Sequence, residues 1–227
     1  YPPALFRKLT RGLIDSKMGI TWTTHMRFEK SLLEDQVWQD AKASGCKYLH
    51  FGYESGNERV LKLMDKATTT EIMTKHLKYT AEAGIWNHCM GFFGFPGETR
   101  EEAWSSVEFL EQNRDYVHSL GFGTFDLGRH NPVAKHPEKF GVTAYKNPEW
   151  DLALDYYFTV KQGLSIEEAE RVFEEFERNH NPGWDLRLFI REYIFLYIAQ
   201  FGLQKLPDLQ FRSARVATVP PSLAGKM

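Results

Sequence analysis

Cysteine is scarce in this chain: Cys46 and Cys89 are the only two among 227 residues. They stand far apart and in no metal-ligand spacing, which excludes a disulfide-built scaffold. Each adjoins an apolar run, so both are read as buried free thiols in a reducing cytoplasm, ahead of a disulfide or a metal pair. A basic excess is missing too, since 28 Lys and Arg face 30 Asp and Glu, for a formal net charge of −2. No Lys/Arg run is long enough to make a patch, so nucleic acid is not an expected partner. Nor is there a long uncharged run: the most apolar helix-like stretch, 184–201, contains Asp185, Arg187, Arg191 and Glu192. That excludes a membrane span there. The opening residues Tyr1, Pro2 and Pro3 lack the charged and apolar segments of a signal peptide. There is no nucleophile elbow, no Glu-rich metal motif and no solenoid repeat, which argues against an ordinary hydrolytic half-barrel.

What is present is material for a core. Hydrophobic residues make up 42% of the chain and aromatics 15%, enough for one large domain or a domain with an appendage. A Ser or Thr followed three residues later by Glu recurs at Ser31/Glu34, Ser55/Glu58, Thr68/Glu71, Thr99/Glu102 and Ser165/Glu168. Each opens a helix-like pattern and reads as a helix start, hydroxyl and carboxylate satisfying the first free N–H groups. Apolar stripes at helical spacing follow: Leu32, Val37, Trp38 and Ala41; Val60, Leu61 and Met64; Met73, Leu77 and Ala81; Ala103, Val107 and Leu110; Ile166, Ala169, Val172 and Phe176. Strand-like runs lie between them at 20–27, 48–53, 87–95 and, more weakly, 123–127. Ser44-Gly45 and Ala83-Gly84 end two helices just before a strand. This alternation predicts an α/β fold with parallel pairing through right-handed crossovers.

Beyond Gly128 the character changes. Residues 129–148 read as an ordered loop, 150–202 as helical with a break at 179–183, and the tail after Pro207 as extended. The expected division is a barrel-like part over 1–145 with its following loop, a helical extension over 146–206, and a tail over 207–227. The helix carrying Glu174, Glu175 and Glu177 presents a solvated face.

Two stretches carry the chemistry, Phe51-Gly-Tyr-Glu-Ser-Gly56 and Gly91-Phe-Phe-Gly-Phe-Pro-Gly-Glu-Thr99. Each is an apolar run that breaks into Gly and then into a helix start, the place where parallel barrels and doubly wound sheets hold ligands. Side chains alternate along strands, so Thr23, His25 and Arg27 share a face, as do His50, Gly52 and Glu54, and His88, Met90, Phe92 and Gly94. A face this polar suits a ligand cavity. The three histidines are read as cavity residues ahead of a metal triad.

At these residues the chain resembles a known family. FGYESGNERVLKLMDKATT and TAEAGIWNHCMGFFGFPGETREEAWSSVEFL are similar to the second half of a radical S-adenosylmethionine (radical SAM) enzyme core, in the branch that often carries a cobalamin-binding domain. TWTTHMRFE resembles the fourth barrel strand, and GRHNPVAKHPEKFG the segment after the barrel. The family's Cys-x-x-x-Cys-x-x-Cys loop, which binds a [4Fe-4S] cluster, is absent; the resemblance places it before residue 1. The fold then implied is a partial (β/α) TIM-type barrel, the C-terminal half of a radical SAM barrel, followed by a helical extension.

The resemblance also implies roles. Arg27 would meet the methionyl carboxylate of S-adenosylmethionine, the plain alternative being a salt bridge to Glu29 or Glu54. Glu54 would bond the ribose hydroxyls or the amino group. Ser55 shares that turn as a cofactor candidate, and more simply as a helix cap. Phe92, Gly94, Phe95 and Pro96 would present backbone and an apolar wall to adenine. His25, His50, His88 and His130 would border the substrate, while Glu98 and Thr99 are read as helix-capping. The implied activity of the whole protein is hydrogen abstraction by a deoxyadenosyl radical from a small-molecule or peptide substrate, with cobalamin-dependent methyl transfer as one outcome. The other reading is a non-catalytic half-barrel module that binds a peptide or protein partner. A half barrel would expose the edge of strand 20–27, so self-association is expected.

Overall fold

The computed structural model describes residues 2–145, 154–180 and 201. Helix α1 (Pro3–Ser16) leads into β1 (Trp22–Met26), α2 (Asp35–Ala43), β2 (Cys46–Glu54), the short α3 (Glu58–Leu63), α4 (Thr70–Glu82), β3 (Trp86–Phe93), α5 (Arg100–Gln112) and β4 (Ser119–Thr124). These strands form one parallel sheet in the order β1-β2-β3-β4. The α/β alternation expected from the sequence is therefore the fold.

Alternate strand residues turn to the helices: Leu49, Phe51 and Tyr53 from β2, Cys89 and Phe93 from β3, Leu120 and Phe122 from β4. They pack on Trp38, Leu61, Met73, Leu77, Val107 and Leu110, and all of these side chains are buried. Helix α7 (Ile166–His180) joins this layer, setting Phe176 against Phe93 and Phe122 with ring centroids 5.7 and 5.4 Å apart. Ala169, Val172 and Phe176 of the α7 stripe thus cover β3 and β4, while Ile166 packs in a second cluster with Phe95, Leu127 and Phe158.

The helix starts divide. Thr99 with Glu102 forms a full capping box, and Ser165 and Glu168 exchange the same bonds. Elsewhere a neighbour takes the position. Asn57 caps α3, because the Ser55 hydroxyl is drawn to Ser106, and Thr69 rather than Thr68 caps α4. Ser31 falls in a 3-10 turn over Lys30–Leu32, and α2 starts at Glu34 with no side-chain cap.

Three corrections concern the second half. The fourth strand runs over Ser119–Thr124, earlier than the expected 123–127, its apolar members Leu120 and Phe122 being separated by Gly121. The stretch 129–148, expected as loop, holds α6 (Pro132–Lys135), a 3-10 turn (Pro137–Phe140) and β6 (Val142–Tyr145). The region expected to be helical from 150, with a break at 179–183, holds β7 (Asp155–Val160), whose Tyr156, Phe158 and Val160 alternate inward. With β5 (Leu127–Gly128) these make an antiparallel sheet in the order β5-β7-β6, which spans the expected boundary at 145–146. The expected helix over 184–201 and the tail after Pro207 lie outside the described residues, Phe201 excepted. Among the described residues no helix is long and apolar enough to cross a membrane.

Candidate functional site

The strand tips of the parallel sheet, with the segment that carries α6 and the 3-10 turn after it, enclose a cleft of about 490 Å³ lined by Arg27, Glu54, Lys66, Phe92, Phe95 and Phe140 among others. Arg27 follows the end of β1 and is exposed. It has no hydrogen-bond or ion-pair partner among the described residues, so the plain pairing with Glu29 or Glu54 is not made.

Glu54 ends β2 in the left-handed region, at φ +62°, which is uncommon for a residue with a side chain. The β2–β3 register slips between Gly52 and Glu54, and this re-aims the side chain. The carboxylate lies back over Gly52, where an added Cβ would come within 2.9 Å of its Oε1. Lys66 Nζ donates to it at 2.8 Å. Lys66 is brought there by the end of α3, where its N–H bonds the Leu61 carbonyl after Asp65 turns at φ +56°.

The opposite wall is aromatic. Phe92 and Phe95 meet Phe125 at ring-centroid distances of 5.6 and 5.3 Å, and Phe95 meets Phe140 edge-on at 5.9 Å. Of the seven residues expected to bind the cofactor, the structure brings Arg27, Glu54, Phe92 and Phe95 to this cleft. Ser55 is buried behind it, bonded to Ser106 Oγ at 3.0 Å and accepting the Asn57 N–H at 3.1 Å. Pro96 is buried and borders a neighbouring cleft with Arg59 and Lys161. The Gly94 N–H is spent on Glu98 Oε2 at 2.6 Å, and a side chain at Gly94, whose φ is +86°, would overlap Ala169 of α7. Among the lining residues missed by sequence reasoning, Lys66 and Phe140 come from chain outside the strand runs, and Phe125 from the weak run 123–127, of which only the first two residues fall in β4. Alternation along strands carries no signal for them; the close of a short helix after Asp65 is the one local cue for Lys66.

Beneath the tips, His25, His50 and His88 stand in register across β1, β2 and β3. The His25 and His50 rings stack at 4.3 Å, and His50 meets His88 at 5.4 Å. His88 Nδ1 shares a 2.8 Å hydrogen bond with Ser119 Oγ. Burial, then the neighbouring imidazole of His25, pushes His50 down to about 4. Burial, then His50 and His25, pushes His88 down to about 3. Both are therefore neutral at pH 7, and no group of three or more His, Cys, Asp or Glu is placed to hold a metal among the described residues. His130 is exposed and does not line the cleft; its neighbour Asn131 does, and caps α6.

The cysteines do not suit an iron–sulfur cluster. Both are buried, and burial pushes the Cys46 thiol up to about 12 and raises Cys89 as well. Two such thiols cannot replace three converging thiolates.

Comparison with known proteins fits this geometry. A profile of the radical SAM superfamily matches residues 4–110. Over 97 residues the chain is 31% identical to an uncharacterized methyltransferase of Pyrococcus horikoshii, a match over 42% of this chain and 20% of the relative. Over 191 residues it is 27% identical to the cytidylyl-2-hydroxyethylphosphonate methyltransferase of Streptomyces wedmorensis, covering 79% of this chain and 34% of that one. The chain thus spans a fifth to a third of the length of these curated relatives. In fold it is similar to the radical S-adenosylmethionine methyltransferase TsrM of Kitasatospora setae, with a TM-score of 0.51, 18% identity and coverage of 75% of this chain and 34% of that one. It is also similar to the radical SAM coproporphyrinogen III oxidase of Escherichia coli, with a TM-score of 0.56, 14% identity and coverage of 78% and 37%.

Proposed function

With residues 4–110 matching the radical SAM superfamily, we propose that the cleft at the β1–β3 tips binds S-adenosylmethionine. The observation that carries this is the convergence of an unpartnered Arg27, the Glu54–Lys66 pair and the Phe92/Phe95 wall on one space of about 490 Å³. That is a volume typical of a small-molecule site, with an apolar wall and a few aimed polar groups.

Arg27 offers a planar fork to the methionyl carboxylate. Glu54, held over Gly52 by Lys66, accepts from the ribose hydroxyls or the amino group. Phe92 and Phe95 cover the adenine. S-Adenosylmethionine supplies the adenosyl group for radical formation, or a methyl group for transfer. The cluster that reduces it belongs to sequence outside this chain, since Cys46 and Cys89 do not fit one. Methyl transfer is the outcome favoured by relatives whose names are methyltransferases, and cobalamin, bound in the TsrM structure, is the carrier proposed for it. The row His25, His50 and His88 faces a small-molecule substrate below the cofactor.

Titration calorimetry of the chain with S-adenosylhomocysteine tests the site. Arg27→Ala and Glu54→Gln are each expected to weaken binding about tenfold, the usual loss for one charged hydrogen-bond partner. Binding that neither substitution disturbs would remove the cleft from the account.

A further inference from the structure

Glu98 has no exposed surface, yet its carboxylate does not cap the helix it precedes, because Thr99 and Glu102 already perform that task. It points back instead. Oε2 accepts the Gly94 N–H at 2.6 Å, while Oε1 is buried with no partner among the described residues. Burying an acid with one oxygen unsatisfied is costly, and it persists where the surrounding structure fixes it for a purpose.

The backbone around it is clamped from three further directions. Glu98 N–H bonds the Phe95 carbonyl at 2.8 Å. Arg59 donates to the Gly97 carbonyl at 2.6 Å while pairing with Glu102. Leu164 N–H bonds the Glu98 carbonyl at 2.8 Å, and Gly163 lies so close to Gly97 that a side chain there would overlap it. The turn therefore sends its amides inward and leaves the Phe95 ring, with Phe92 three residues before it, on the cleft.

We propose that Glu98 is a positioning residue for the cleft: by holding the Gly94 amide with its carboxylate and the Phe95 carbonyl with its own N–H, it fixes the aromatic wall against which the ligand lies. This rests on the cofactor reading given above. The groups that face the carboxyl are Arg59 from α3, Glu102 from α5 and Tyr53 from β2, while α7 brings Ala169 against Gly94. Burial, opposed by the backbone bond from Gly94, pushes Glu98 up to about 7. The clasp therefore changes charge near neutral pH, which makes it visible to experiment.

The test combines ¹⁵N-resolved NMR with calorimetry on the full chain. In the wild type the Gly94 amide shift is expected to titrate with a midpoint near 7, and in Glu98→Gln to stay flat. Glu98→Ala is expected to weaken S-adenosylhomocysteine binding about tenfold, with Glu98→Gln within about twofold of the wild type at pH 6, since the amide oxygen still accepts. A merely structural Glu98 would lower the melting temperature and leave the affinity untouched. A Gly94 amide that is flat in the wild type, or a folded Glu98→Ala chain that binds normally, overturns the proposal. If Glu98→Ala does not fold, the wild-type and Glu98→Gln titrations decide. If the wild type itself does not bind S-adenosylhomocysteine, the cofactor reading falls, and the Gly94 titration alone decides whether Glu98 holds the turn.

Discussion

The two faces of the parallel sheet are built on opposite terms. Toward the helices, Leu49, Phe51, Tyr53, Cys89 and Phe93 are fully buried and pack on Trp38, Leu77 and Leu110. On the other face, His25, Arg27 and Glu54 retain solvent contact and the polar groups are aimed rather than packed. The same strands thus spend one side on stability and the other on a site. Alternation, with a period of two, is what lets one sequence do both.

The largest effect that separates the faces is a core truncation. Phe51→Ala is expected to cost about 3–5 kcal/mol in urea unfolding, because Phe51 stacks on Phe28 at 4.5 Å and is fully buried. Phe92→Ala, on the half-buried cleft wall, is expected to cost about 1–2 kcal/mol while losing ligand affinity. Equal costs would erase the distinction.

A smaller effect sharpens it behind the site. Ser106 bonds Ser55 Oγ at 3.0 Å and accepts the Gly56 N–H at 2.9 Å, tying the β2 turn to α5. Ser106→Ala leaves the half-buried Gly56 N–H without its partner and Ser55 Oγ with only the Asn57 N–H, and is expected to cost about 1–3 kcal/mol, measured by the same unfolding experiment.

pH gives the finest contrast, since the two faces titrate in opposite senses. Glu98 on the helix side has its folded value raised from 4.5 to about 7, so the folded state holds the extra proton between those values. Its contribution is complete below 4.5 and is lost as pH rises toward 7. His50 and His88 have folded values lowered from 6.5 to about 4 and about 3. Their contribution is complete above 6.5 and is lost as pH falls through about 4. Glu98→Gln is therefore expected to abolish the decline between pH 4.5 and 7 in denaturation midpoints. His50→Gln is expected to flatten the acid limb. An unchanged profile in both variants contradicts the assignment.

Much of this contrast was legible in the residues. The strand runs ending in Arg27, Tyr53/Glu54 and Phe95 alternate clearly, and their parallel order follows from the helices between them. Arg27, Glu54 and Phe92 could be placed on one side from that alternation alone; Phe95 has the opposite parity and lies beyond the end of β3, so only the resemblance of its turn pointed to it. β6 and β7 were not legible because their pairing is antiparallel, across a loop, and their register is set by partners distant in sequence. Ser55 and Gly94 misled for a related reason. A turn residue's bonding is decided by what packs behind it, here Ser106 and Glu98, which no local pattern encodes. Lys66 entered the cleft through a backbone reversal at Asp65, a conformation that the residue type does not advertise.

The edge of β1 has no strand beside it among the described residues. Light scattering is expected to give a mass above the 26.4 kDa of one chain, and a monodisperse monomer would argue that this edge is protected.

The most direct measurement is chemical-shift mapping of the ¹⁵N-labelled chain with S-adenosylhomocysteine. The account predicts that the largest shifts fall together on Arg27, Glu54, Phe92 and Phe95, with α1 and the outer surfaces of α4 and α5 silent. Shifts concentrated on those helices, or spread without reaching the four tip residues, contradict it.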